Sequence, residues 1–175
     1  MTRWTLRTTL LGIALAAAMV AAPAAGATAP GPWQEYRSAG FSVPAGARCP
    51  FALSSTVVDD HERIRTLETY PDGNPRTQQV VGQLVVRYTN EDTQQSVRRN
   101  LTGNALVELR PDRSLSRMSL QGGHFAVGFR ERDPAGPAFL VFTGAGHSVS
   151  FADDGTRTAT YGEGGVENIC DTLAG

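Results

Sequence analysis

The densest set of side chains able to hold a metal or move a proton is Asp59-Asp60-His61-Glu62. Carboxylate oxygens suit a hard cation, and an added imidazole suits a transition metal. On an extended chain, however, adjacent residues point to opposite faces, so the four cannot converge on one ion. Neither the spacing of a calcium loop nor that of a zinc site is present. The expected role of this stretch is a solvated turn, and no metal or other cofactor is expected. The three histidines are His61, His124 and His147, and no Gly-x-Ser-x-Gly elbow offers any of them a nucleophile. His124 alternates out of phase with Phe125, Val127 and Phe129, which predicts a solvent-facing ring; His147 is in phase with Val149 and Phe151, which predicts an inward one.

The same phase test turns three more polar residues inward: Glu68 after Ile64 and Thr66, Tyr88 after Leu84 and Val86, and Arg99 between Val97 and Leu101. Inward charges need partners. One arrangement is an Arg99–Glu68 ion pair with Tyr88 and His147 satisfied by hydrogen bonds. The other is a cavity lined by Glu68, Tyr88, Arg99 and His147, with Arg99 holding an anionic group and His147 exchanging a proton. These four are the candidate ligand-binding residues, and no catalytic residue is assigned. Arg63, Arg65 and Arg98 fall on outer faces, where solvated arginines are ordinary.

The elements that must position these groups are strands. Apolar residues recur every second position at Phe51, Leu53 and Val57, at Leu84, Val86 and Tyr88, at Ala105, Val107 and Leu109, at Phe125, Val127 and Phe129, and at Val149 and Phe151. Between them lie Pro71-Asp72-Gly73, Asn90-Glu91-Asp92, Gly103-Asn104, Pro111-Asp112, Gly122-Gly123, Pro134-Ala135-Gly136-Pro137 and Asp154-Gly155, all of turn type. The pattern predicts an all-β antiparallel meander of roughly eight to ten strands. Such a meander hides its edges best by closing into a small β-barrel, the alternative being a β-sandwich. Val166, Ile169, Cys170 and Leu173 share a helical face, which predicts a short C-terminal helix over 166–173.

The chain opens with Arg3 and Arg7, an apolar run from Leu10 to Ala22 and a cluster of small residues, the order of a secretion signal. Ala25-Gly26-Ala27 predicts cleavage after Ala27, with Ala24 the alternative. The run is shorter than the roughly 20 residues of a membrane span and breaks at Pro23. The expected organisation is a signal peptide over 1–27, an extended lead-in over 28–47 and one β domain over 48–175, secreted and without a membrane span in the mature chain. Without the leader the chain has 14 arginines, no lysine and 17 acidic residues. That balance gives no general attraction to nucleic acid or anionic membrane. Cys49 and Cys170 are the only cysteines, and in an oxidising compartment they are expected to pair, fastening the C-terminal helix to the start of the first strand.

Cys49-Pro50-Phe51, Tyr88-Thr89-Asn90, Leu101-Thr102-Gly103-Asn104, Pro111-Asp112 and Asn168-Ile169-Cys170-Asp171 together give the chain a familiar outline. It resembles small secreted proteins of actinobacteria whose function is not established. The resemblance implies the β architecture and the disulfide and carries over no catalytic residue. Three functional classes fit: a non-catalytic extracellular module binding a small ligand, envelope component or protein partner; a small-molecule barrel enzyme, an isomerase or hydrolase using His147, Glu68 and Arg99; and a structural surface protein.

Overall fold

The computed structural model describes residues 29–175; the expected signal peptide and its cleavage point lie outside them. The elements are β1 (Gln34–Glu35), β2 (Phe41–Val43), β3 (Leu53–Thr69), β4 (Pro75–Asn90), β5 (Ser96–Asn100), β6 (Gly103–Leu109), β7 (Leu115–Phe129), β8 (Ala138–Ala145), β9 (Ser148–Phe151), β10 (Arg157–Thr160), β11 (Glu163–Asn168) and α1 (Ile169–Thr172). All strand pairs are antiparallel, so the all-β meander holds. The sheet runs β1-β3-β4-β6-β7-β8-β11, with β2 on β3, β5 on β4, β9 on β7 and β10 on β9. This path does not return to its start, so the expected closed barrel is replaced by an open, bent sheet. Among the described residues no helix is long and apolar enough to cross a membrane.

The bend has a local cause. The first half of β4 pairs with β6 and its second half with β5; β7 likewise leaves β6 for β8 part-way along. Partners change at one cross-strand row, Glu62–Gly82–Gly103–Gly123. Gly82 and Gly123 have φ of +142° and +89°, and a Cβ on either would stand 2.6 Å from the Cα of Glu62 or Gly103. Only glycine takes such backbone angles and such close approach together. Gly122-Gly123 is therefore a bend within β7, and Gly103-Asn104 opens β6; neither is the expected turn.

Bending brings β8 between two apolar layers. Phe139 and Val141 pack with Leu53, Leu84, Val86 and Tyr88, while Ala138, Leu140 and Phe142 pack with Leu120, Phe125, Val127, Phe129 and Val149. A strand buried on both faces has no polar side to show, which is why Ala138–Phe142 reads as an unbroken apolar run rather than an alternation.

Three hairpins use one turn. Tyr70, Arg110 and Ala152 each donate a backbone N–H to the carbonyl of the residue four further on, at 2.8, 2.8 and 2.9 Å. The middle Asp of each turn (Asp72, Asp112, Asp154) accepts the last residue's N–H at 2.8–2.9 Å. The residue that follows that Asp lies at positive φ: Gly73, Arg113 and Gly155.

At the C-terminus Val166–Asn168 extends β11, so the expected helix shrinks to the single turn of α1. Asn168 caps it, its side chain accepting the Cys170 N–H at 3.1 Å. Cys49 and Cys170 are disulfide-bonded, with Cα atoms 5.2 Å apart. The bond fastens α1 just ahead of β3, as expected. Buried Asn90 adds a second tie by donating Nδ2–H to the Leu173 carbonyl at 3.0 Å.

Candidate functional site

A cavity of about 340 Å³ lies beside the glycine row. Val80, Leu84, Leu101, Ala105, Val107, Leu115, Met118 and Phe125 form its apolar wall; Tyr36, Ser38, Glu62 and His124 supply its polar groups. The two sets arrive from different parts of the chain. Tyr36 and Ser38 belong to the extended lead-in, which β3 holds in place through pairs such as Gln34–Ile64 and through the Tyr36 N–H donated to the Glu62 carbonyl at 3.1 Å.

Glu62 faces this cavity because of a β-bulge. Val57 pairs with Val86 and Asp59 with Val85, which leaves Val58 extra. One surplus residue reverses the alternation. Ahead of the bulge the odd-numbered Leu53 and Ser55 are buried; beyond it the even-numbered Asp60 and Glu62 turn inward, the Asp60 side chain being only 8% exposed. Asp59 and His61 take the outer face, where they lie 3.1 Å apart. The expected solvated turn is thus the middle of a strand, with its four side chains divided between two faces.

The carboxyl end of the cavity is tightly built. Ser38 donates its hydroxyl to Glu62 Oε2 at 2.6 Å and its backbone N–H to Asp60 Oδ2 at 2.7 Å, while the Glu62 N–H reaches Asp60 Oδ1 at 3.0 Å. Arg37 stands 3.8 Å from Asp60. Burial pushes the Glu62 carboxyl above its ordinary range; the Ser38 hydrogen bond opposes this and the Asp60 charge adds to it. The Tyr36 phenol is pushed up by burial, then by Glu62 and Asp60. His124 is half-buried rather than solvent-facing, with Nδ1 3.3 Å from the Thr102 carbonyl. A carbonyl oxygen only accepts, so this contact requires a proton on Nδ1. The arrangement can hold a small apolar body and hydrogen-bond one polar group on it.

None of the four residues expected from sequence lines this cavity. Glu68 follows a second bulge, at Leu67, and stands exposed beside Thr77 and Arg76, at 3.0 and 3.9 Å. Arg99 pairs with Glu167 on β11, not with Glu68: Nε reaches Oε2 at 2.6 Å and Nη2 reaches Oε1 at 2.5 Å. The fork holds the Glu167 carboxyl below its ordinary range. Tyr88 is buried against Phe41 and Phe139, with ring centroids 6.5 and 5.0 Å away. Its phenol is pushed up by burial and then by Glu167, so Tyr88 and Arg99 share a neighbourhood. His147 is buried as expected, with Nε2 3.2 Å from the Thr143 carbonyl and Nδ1 accepting the Gly162 N–H at 3.2 Å. Both ring nitrogens are committed to backbone, which makes His147 a clasp between β8 and the connection from β10 to β11.

Tyr36, Ser38, Glu62 and His124 were not picked out by the phase test. The alternation that runs forward from Ile64 and Thr66 to Glu68 also runs backward to Glu62, and the backward direction is the one that no bulge interrupts. No family model, curated protein or solved structure matches the chain.

Proposed function

We propose that this chain is an exported β module that holds a small, mainly apolar molecule, without turning it over, in the cavity beneath Glu62. The observation that supports this reading is an apolar cavity whose few polar groups converge from one side, the usual make-up of a small-ligand site. Glu62 and Tyr36 lie beside Asp60, so the polar end favours a ligand group that donates hydrogen bonds, a hydroxyl or an amine. Export rests on the leader-like residues 1–27, and the Cys49–Cys170 bond is compatible with an oxidising compartment.

Native mass spectrometry of the protein taken from its host tests this. The expected result is a non-covalent adduct on the wild-type chain that is absent from Val107→Trp, whose larger side chain fills the cavity. Repeated preparations without an adduct, or an adduct unchanged in Val107→Trp, would overturn the reading. A small-molecule enzyme is the second reading, favoured by the raised Glu62 carboxyl, since a proton-transferring acid works best near ambient pH. Chemical conversion of the captured molecule by wild type and not by Glu62→Gln separates the two.

A further inference from the structure

Asp133, in the turn between β7 and β8, is 3% exposed, and backbone groups occupy both of its oxygens. The Arg130 N–H donates to Oδ2 at 2.6 Å and the Arg157 N–H to Oδ1 at 2.9 Å. Four guanidinium groups gather near it. Arg157 donates Nη1–H to the Gly128 carbonyl, and Arg48 Nε lies 2.5 Å from the point where a Cβ on Gly128 would stand. Arg132 Nη2 and Arg130 Nη1 lie 3.0 and 3.5 Å from the corresponding point on Gly155.

Among the described residues none of these four arginines makes an ion pair. Arg48 and Arg132 spend one nitrogen each on the carbonyls of Ala47 and Asp154, at 2.7 and 2.8 Å. The buried Nε of Arg157 has no partner at all. Burial first, and then the neighbouring arginines, hold the Arg48 and Arg157 guanidiniums below their ordinary range. Of the four, Arg130 and Arg157 open onto a cleft of about 600 Å³ bordered by the turns at Asp112 and Asp153; Arg48 and Arg132 lie outside its lining. The acids at its rim are engaged: Asp153 with Arg110 Nε at 2.7 Å, and Asp112 and Asp154 with the N–H groups of their own turns.

Like charges brought together around a carboxylate already in use repel one another, and an anion in the cleft would offset that repulsion. We propose that this cleft, which shares only Leu115 with the apolar cavity, is a second site, for a doubly charged tetrahedral oxyanion of the phosphate or sulfate type. Planar, forked guanidiniums match the oxygens of such a group, and two negative charges answer several arginines better than one.

Titration of the full secreted chain with inorganic phosphate at constant ionic strength, followed by calorimetry and by melting temperature, tests the proposal. Saturable binding and a rising melting temperature are expected with phosphate and absent with chloride. Arg130→Gln should weaken binding tenfold or more, whereas Arg63→Gln, whose guanidinium stacks over Trp33, should leave it unchanged. Arg130 is the preferred variant because Arg157 also supports Gly128. No saturable binding, or equal weakening by Arg130→Gln and Arg63→Gln, would overturn the proposal. Glycerol phosphate binding as tightly as phosphate would place the group on a larger molecule; binding of phosphate alone would assign the site to the free ion.

Discussion

Glu62 and Gly82 face one another across β3 and β4 so closely that a methyl group on Gly82 would stand 2.6 Å from the Glu62 Cα. The polar end of the cavity and the bend of the sheet therefore share one point. A change that relaxes the bend also moves the carboxyl that the cavity presents.

Gly82→Ala meets both a forbidden φ and a backbone collision. We expect a loss of about 2–4 kcal/mol in denaturant unfolding. A variant within about 0.5 kcal/mol of wild type would show that the row does not need glycine there.

Glu62→Gln should stabilise the protein at neutral pH. Because the folded carboxyl is held above its ordinary range, the native state binds this proton more tightly than the unfolded chain does. Stability therefore falls as pH rises from the ordinary carboxylate range through the raised folded value. The advantage of Gln should be present above that window and vanish below it. The check is the melting-temperature difference between the two proteins across pH 3 to 8, and a difference that grows on acidification would refute the argument.

Arg113 occupies at φ +68° the turn position that Gly73 and Gly155 fill in the sister hairpins. Arg113→Gly should raise stability by up to about 1 kcal/mol, the scale of a left-handed penalty on a side-chain-bearing residue. A decrease in unfolding midpoint would mean that the arginine side chain offsets its own backbone cost.

A double-mutant cycle on Arg99→Ala and Glu167→Ala should give a coupling of about 1 kcal/mol, since the pair is forked and part-buried. The cycle between Arg99→Ala and Glu68→Ala should give none. Coupling in the second and not the first would move Arg99 to the partner expected from sequence.

The native protein should show no reactive thiol before reduction. Cys49→Ser/Cys170→Ser should lose about 2–5 kcal/mol, the usual cost of removing a native disulfide. Free thiols in the unreduced protein would be the contrary finding.

What the sequence discloses here follows its periodicity. The strands carrying Leu84, Val86 and Tyr88 or Phe125, Val127 and Phe129 are one-face-buried and announce themselves by alternation. β8 is buried on both faces, so its central place was hidden in a run that period two does not describe. Alternation also fails wherever a residue is added without altering composition: the bulges at Val58 and Leu67 redirect Glu62 inward and Glu68 outward. For Arg99 the sequence suggests either an ion pair with Glu68 or a bound anionic group. Its true partner, Glu167, lies 68 residues away on a strand that the C-terminal helical pattern concealed. The open edge of the sheet was likewise illegible, because closure depends on which distant strands meet and not on the pattern of any one.

Ile169, Cys170 and Leu173 belong to the same apolar cluster as Cys49 and Leu53. The cluster that begins just ahead of the first long strand is completed by residues 169–173, and the covalent tie within it spans 121 positions. Contacts of such separation form late and slowly. A chain that has not yet brought Ile169, Cys170 and Leu173 to Leu53 would hold its hairpins and its second cluster but leave the first one open. Loss of Ile169, Cys170 and Leu173 should then loosen one half of the molecule, exposing Leu53, Leu84 and Val86, while the half built on Leu120, Phe142 and Val149 keeps its packing.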